Sequence, residues 1–399
     1  MIKIRNDVRD ARERGILSGA VQALDGTNDV FVLLFGRSES GVELFGWDEL
    51  TALQANWGFV ATPDRTYFVG AFKDLDGDRI RDLGEPAAFS GLKEPIQLDA
   101  GAIRSNVDLE LRAGAAIPEG FVLDANDPDV GNTTIRFNLG EVVELEDPRF
   151  SPETGKRGMW EPFKSATSSG AGVYFLEEFD SGRIPVLFIH GIGGTPRDLR
   201  PLIDSVDRER FQPWVYTYPS GIRIGAAAAG LRDVMVDLRE KLDFPELFVI
   251  AHSMGGLVAF DFVKQLRLRS VHDDMVGLLV TLSAPLGGHA ASRWGLRFAP
   301  EPIPAWIDLD PDGDFVAGLS TSFTRSLPYA LFFGYRRGGN PLMPASHDAV
   351  IEVRSQLPLW AQEKAILVRG FDLDHAEILE APELIGALAE VLEDTADSQ

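Results

Sequence analysis

The stretch that most constrains this chain is Leu247-Phe248-Val249-Ile250-Ala251-His252-Ser253-Met254-Gly255-Gly256. Its apolar opening has no polar interruption, which fits a strand covered on both faces, as in a parallel sheet. Residues 257–266 then read as a helix. A serine at so sharp a strand-to-helix turn has an exposed hydroxyl above a helix N-terminus, a setting that makes a nucleophile of an otherwise inert group. The small residues Ala251, Gly255 and Gly256 suit a tight turn and close helix–strand packing. The usual pattern is Gly-x-Ser-x-Gly, and Ala251 replaces its first glycine by the smallest side chain. A structural turn that happens to hold a serine would have a similar composition, so further signals are needed.

A second stretch supplies one. Ile184-Pro185-Val186-Leu187-Phe188-Ile189-His190-Gly191-Ile192-Gly193-Gly194 reads as a buried strand entering a glycine-rich loop. Backbone N–H groups on such small residues can reach the oxyanion that forms when a serine attacks an ester carbonyl. The donors expected are the N–H of Ile192 and that of Met254, the residue after the nucleophile. Glycine-rich loops of this kind also bind phosphates. The spacing of about 60 residues to Ser253 favours the first use, because it leaves room for one further strand–helix unit.

On these two motifs, the chain from about residue 160 onward resembles α/β-hydrolases of the bacterial lipase and esterase type. The pair His190-Gly-Ile-Gly-Gly and Ala251-His-Ser-Met-Gly-Gly is especially similar to small bacterial lipases, which share that alanine. The run from Gly172-Val173-Tyr174-Phe175-Leu176 to His190 also resembles a wider group of bacterial hydrolases related to lipid deacylases. The resemblance implies a mostly parallel sheet with helices on both faces, and a serine hydrolase acting on carboxylic esters.

A nucleophile at Ser253 requires an acid and then a histidine downstream. The chain has six histidines. His190 and His252 belong to the two motifs and read as structural, each neighbouring a loop rather than pointing at the nucleophile; with Gly191 and Leu286 they are grouped around the substrate site. His272 sits among charges. His289 follows a strand and could line the site, and His347 adjoins an acid. His375 lies between the strand-like 365–368 and a terminal helix over 378–392, where the family carries its catalytic base. For the acid, Ala345-Ser346-His347-Asp348-Ala349-Val350-Ile351 resembles the family segment Ser-x-Asp-Gly-x-Val, with Ala349 in the place of glycine. Asp348 would then orient His375 and stabilise its imidazolium. Asp308, Asp310, Asp372 and Asp374 are its rivals.

The remaining periodicity is consistent with this fold. Strands are expected at 214–218, 276–282 and 329–333, and a helix over 226–242, where Leu231, Val234, Leu238 and Leu242 recur at helical spacing. Strands alternating with helices imply parallel pairing, with catalytic groups at the carboxyl ends of the strands. Residues 290–328 show little regularity but hold Trp294, Phe298, Trp306, Phe315 and Phe323. These suit a lid or acyl-binding wall, with packing down onto the sheet the favoured reading.

The first 115 residues differ. Residues 30–35, 67–72 and 105–111 read as short strands of a β-sandwich-like domain. The division expected is a β-rich accessory domain over 1–115, a connecting arm over 116–165 and an α/β-hydrolase catalytic domain over 166–399. Within the first part, Asp74, Asp76, Asp78, Asp82 and Glu85 occupy positions one, three, five, nine and twelve of an acidic loop, the ligand positions of an EF-hand. Arg79 stands at position six and the loop joins strands. It therefore reads either as a structural Ca²⁺ loop or as an acidic turn partly neutralised by Arg79 and Arg81.

Composition narrows the partners. A net charge of −23 disfavours nucleic acid and anionic membrane surfaces. The absence of cysteine excludes disulfides, thiolate metal sites and a cysteine nucleophile. No run approaches the ~20 apolar residues of a membrane span, and residues 1–7 lack an apolar signal core, so the sequence at face value is cytoplasmic, and periplasmic or secreted if a leader precedes it. The reading is an esterase or lipase that needs no cofactor and takes a small-molecule ester or lipid. The same triad could serve a thioester, an amide or acyl transfer, and the alternative of another class is a non-catalytic binding module on a hydrolase-like fold.

Overall fold

The computed structural model describes residues 2–398 except 23–28, 39–40, 51–55, 105–106, 128–129, 131–133, 136, 169, 243, 245, 270–271, 323–326 and 337–345. The chain forms two compact units, one of residues 9–139 with 166–168, the other of residues 1–8, 140–165 and 169–399.

Among the described residues the smaller unit has the strands β1 (Gly15–Gln22), β2 (Val30–Ser38), β3 (Gly41–Leu50), β4 (Asn56–Ala61), β5 (Thr66–Lys73), β6 (Ala87–Ser90), β7 (Ile103–Arg104) and β8 (Leu109–Glu110). One sheet has the order β3-β2-β5-β6 and the other β4-β1-β7, with β8 also on β1. The unbroken run Val30-Phe31-Val32-Leu33-Leu34-Phe35 has a period-two explanation. Val30, Val32 and Leu34 join Leu17, Trp57 and Phe59 of the other sheet in a shared core. Phe31, Leu33 and Phe35 point the opposite way and are covered by Phe121, Leu123 and Ala125. Residues 116–139 thus pack within this unit. Of the alternating segment 105–111, Val107, Leu109 and Leu111 enter the shared core, while Ser105 and Asn106 lie outside the described residues.

The larger unit carries β9 (Asn138–Val142), β10 (Gly172–Phe175), β11 (Ile184–Ile189), β12 (Phe211–Thr217), β13 (Leu247–His252), β14 (Val276–Leu282), β15 (Tyr329–Gly334) and β16 (Leu367–Phe371). Their order is β16-β15-β14-β13-β11-β12-β10-β9. Pairing is parallel from β12 through β16, and β10 runs antiparallel to β12. From β11 the chain goes to β12 on one side, then returns past β11 to β13 on the other. The order reverses there, and in such sheets ligands bind at the carboxyl ends beside the reversal. The alternate residues Phe188, Ile250 and Val280 meet the helix Pro382–Asp397 through Leu384, Leu388 and Val391. On the other face the helix Met254–Arg269 packs on β11, β13 and β14, and the helix Ile224–Lys241 packs on it. Leu257, Val258 and Phe260 are wholly buried there.

Residues 290–328 are more regular than their composition suggests. They contain the helices Ala290–Phe298, Pro304–Asp308 and Asp314–Leu319. Not all of their aromatics pack inward, since Trp294 and Phe298 stack on each other and remain 69% and 61% exposed. Phe323 lies outside the described residues.

The ring of Phe121 meets Phe35, Phe68 and Phe89 with centroids 5.3, 5.1 and 4.7 Å away. Removing it opens a cavity in a rigid aromatic cluster. Phe121→Ala is expected to destabilise the β-rich unit by about 3–5 kcal/mol, measured by urea unfolding. A change below about 1 kcal/mol would mean that residues 116–139 do not cover this face.

Candidate active site

Ser253 stands between the end of β13 and the helix Met254–Arg269. Its φ is +55°, a left-handed value that costs a non-glycine residue about 1–3 kcal/mol. The turn is held where it must be strained. Ser253 N–H donates to Leu282 O at 2.9 Å, and Gly256 N–H to Ser253 O at 3.0 Å. Two neighbours have to be glycine for closeness alone. A Cβ on Gly255 would lie 2.6 Å from the carbonyl oxygens of Ile189 and His190, and one on Gly191 would lie 2.8 Å from Ser253 Cβ. The ends of β11 and β13 therefore touch through backbone.

Ser253 Oγ is 2.9 Å from His375 Nε2, and His375 Nδ1 is 2.7 Å from Asp348 Oδ2. This network assigns the tautomer: Nδ1–H donates to the carboxylate, leaving Nε2 to accept from the serine hydroxyl. Asp348 is fully buried. Its Oδ1 accepts the N–H groups of Val350 and Ile351 at 3.0 and 2.6 Å, and its backbone O accepts His375 N–H at 2.8 Å. The carboxylate is thus fixed in place by these hydrogen bonds. Ala349 has φ +77°, which is why a glycine is the expected residue there. Ala345, part of the motif that pointed to Asp348, lies outside the described residues.

The rival acids are engaged elsewhere. Buried Asp308 bonds Arg223 and the Ile224 N–H at the start of the helix Ile224–Lys241. Asp310 pairs with Arg293, and Asp374 takes the N–H groups of Ala376 and Glu377. Asp372 is not among the groups bonded to His375 Nδ1 or Nε2.

In the loop after β11, the N–H of Gly193 donates to Ser220 Oγ at 2.8 Å and that of Gly194 to Gly191 O at 3.2 Å. Among the described residues, the N–H groups of Ile192 and Met254 have no partner. Both residues line a cavity of about 420 Å³, with Gly191, His252, Ser253 and His375. This is the pair of free donors that an oxyanion needs. His190 and Leu286 are buried and do not line the cavity. His190 instead lies beneath the loop, its ring stacked on Tyr218, whose hydroxyl donates to His190 O at 2.8 Å.

Several supporting side chains carry no motif and escaped the sequence reading. Tyr218 and Ser220 shape the loop after β11. Gln356, buried, clasps Gly334 through both its amide atoms and reaches Ile351 O, tying β15 to the turn that presents Asp348. His252 is expected from its motif, but what it does is specific: its Nε2–H donates to His375 O at 3.0 Å. Burial, reinforced by the nearby His375, pushes the His252 pKa down to about 3, and burial lowers that of His190 to about 4.

The acidic loop belongs to the other unit. Asp74, Asp76 and Asp78 bring carboxylate oxygens within 4.8 Å of one another, and Asp82 and Glu85 stand outside that group. Asp74 takes the N–H groups of Gly77 and Arg79 at 2.7 and 2.9 Å. Buried Glu85 takes those of Leu75 and Asp82 at 2.5 and 2.9 Å. These bonds account for the shape of the loop.

Residues 186–394 match the alpha/beta hydrolase family. The chain belongs to that family. Among solved structures this hydrolase is similar to a Listeria innocua protein, with 19% identity, 53% of this chain and 94% of that one covered, and a TM-score of 0.41. It is also similar to Est1E from Butyrivibrio proteoclasticus, with 18% identity, coverage of 56% and 93%, and a TM-score of 0.40. For the lipase BlEst2 of Bacillus licheniformis the values are 13%, 54% and 94%, and 0.41. No curated protein matches the sequence. Among the described residues, no helix of this hydrolase is long and apolar enough to cross a membrane.

Two outcomes are expected here. Folded His190 and His252 protonate only near pH 4 and 3, against a reference of 6.5. As pH falls below 6.5 the unfolded state therefore binds protons that the folded state refuses, and stability drops toward those lower values. Each histidine contributes a slope of up to about 1.4 kcal/mol per pH unit. Thermal melting between pH 7 and 4.5 should show this, with a shallower slope in His190→Gln; an unchanged slope would contradict it. Ala349→Gly relieves a left-handed alanine and should leave the melting temperature equal or higher, whereas a fall of several degrees would mean the turn is not strained.

Proposed function

We propose that this hydrolase cleaves carboxylic esters through an acyl-enzyme intermediate. The observation that carries the reading is the continuous chain Asp348–His375–Ser253, whose Ser253 and His375 line one cavity with the residues of two unpartnered N–H groups, Ile192 and Met254. His375 Nε2 takes the Ser253 proton as Oγ attacks the acyl carbonyl. The carbonyl oxygen, now negative, is held by the N–H groups of Ile192 and Met254. His375 returns the proton to the leaving alcohol, and Asp348 stabilises the imidazolium between these steps. A water, deprotonated by His375, then attacks the acyl group, and His375 passes that proton to the departing Ser253 Oγ, releasing the acid and restoring both groups. No step needs a cofactor.

A cavity of about 420 Å³ suits a short or medium acyl ester held whole. Hydrolysis of p-nitrophenyl esters from acetyl to palmitoyl should therefore peak between butyrate and octanoate. Ser253→Ala should lower kcat by at least ~10⁴-fold, and Asp348→Asn by ~10⁴-fold, because the amide favours the wrong imidazole tautomer. A palmitoyl maximum would contradict the size argument. Activity that survives Ser253→Ala would overturn the mechanism.

A further inference from the structure

Among the cavity's titratable groups that the mechanism above does not use is His289. His289 follows β14, and its ring lines the same cavity as His375. Its backbone is pinned on both sides. The N–H donates to Leu309 O at 2.7 Å, and the carbonyl accepts from the Ser292 N–H and hydroxyl at 2.9 and 2.7 Å. The preceding Gly288 has φ +80°, and a Cβ there would lie 2.6 Å from Pro311 Cα. The loop can hardly take another path. Among the described residues, no group bonds the ring nitrogens of His289. Burial, with the charge of His375, lowers its pKa, while the Asp348 and Glu352 carboxylates act weakly the other way. The ring is accordingly neutral and offers one donor and one acceptor.

The rest of that stretch of lining is apolar: Pro285, Leu309, Val350 and Ile351. The two carboxylates of the lining, Asp198 and Glu380, come from different turns, Pro196–Leu199 and Glu377–Glu380, and no lysine or arginine is among the lining residues. The half-buried imidazole of His289, with no partner among the described residues, is available to pair with a ligand that displaces water from this wall. We propose that His289 is a specificity-determining residue that hydrogen-bonds an uncharged oxygen, a hydroxyl or ether, on the apolar arm of the substrate. Oxygenated esters are then preferred to plain alkyl esters of equal length. This inference rests on the ester-hydrolase reading.

The test measures kcat/KM for ethyl butyrate, ethyl 3-hydroxybutyrate and 2-hydroxyethyl butyrate, so that the hydroxyl sits on neither arm, the acyl arm or the alcohol arm. In the unmodified protein one hydroxylated ester should exceed the plain one about three- to tenfold, the worth of one net hydrogen bond. His289→Leu should bring that ratio to about one, and His289→Gln, which keeps a donor and an acceptor, should restore part of it. The same ratios are read as binding affinities in Ser253→Ala, with and without His289→Leu. Ratios unmoved by His289→Leu overturn the assignment, as does an equal loss on all three esters. If the unmodified protein cleaves none of them, the ester-hydrolase reading fails, and the binding ratios alone decide the role of His289.

Discussion

The site depends on the contact between the backbone at the end of β11 and the turn at the end of β13. Nothing larger than hydrogen fits at Gly255 or Gly191 where the two meet. That closeness holds Ser253 at a left-handed φ, with its hydroxyl toward His375 and the free N–H of Met254 beside that of Ile192. The strain at one residue is borne by the sheet around it, whose central strands are buried on both faces.

Around this contact stands a shell of bonds that fix the loops. Tyr218 and Ser220 hold the loop after β11, Gln356 holds the turn of Asp348, and His252 holds the backbone of His375. Three of the four belong to no motif. They fix the loops that set the 2.9 Å separation of Ser253 Oγ and His375 Nε2, on which the proposed proton transfer would depend. The low pKa of His252 fits this role, since a neutral ring can donate to a carbonyl without adding charge beside the base.

Much of this was legible in the sequence because the chemistry is local there. Strand, turn and helix around Ser253 are contiguous, and the apolar runs of β11, β13 and β14 could only be central strands. His375 and Asp348 were reached through chain order and resemblance, since 122 residues separate Ser253 from His375. The supporting residues were not legible: Tyr218, Ser220 and Gln356 are ordinary polar residues until the fold brings them to a backbone group. Leu286 shows the converse, a side chain expected at the substrate site that is buried instead of lining the cavity, while His190 is buried as a structural residue of its motif. In residues 290–328 periodicity failed because the helices are five to nine residues long, too short for a repeating apolar stripe. Residues 116–139 read as an arm because the stretch is rich in Gly, Pro, Asp and Asn; only the second face of β2 and β5 explains Phe121, Leu123 and Ala125.

The central claim is that Ser253 is singled out as a nucleophile by its turn and its histidine. Reaction with a fluorophosphonate, followed by intact mass and peptide mapping, tests this without assuming any substrate. The account predicts one adduct, on Ser253, forming together with the loss of all turnover and absent after His375→Ala. No adduct, an adduct on another serine, or labelling of Ser253 that persists without His375 would contradict it.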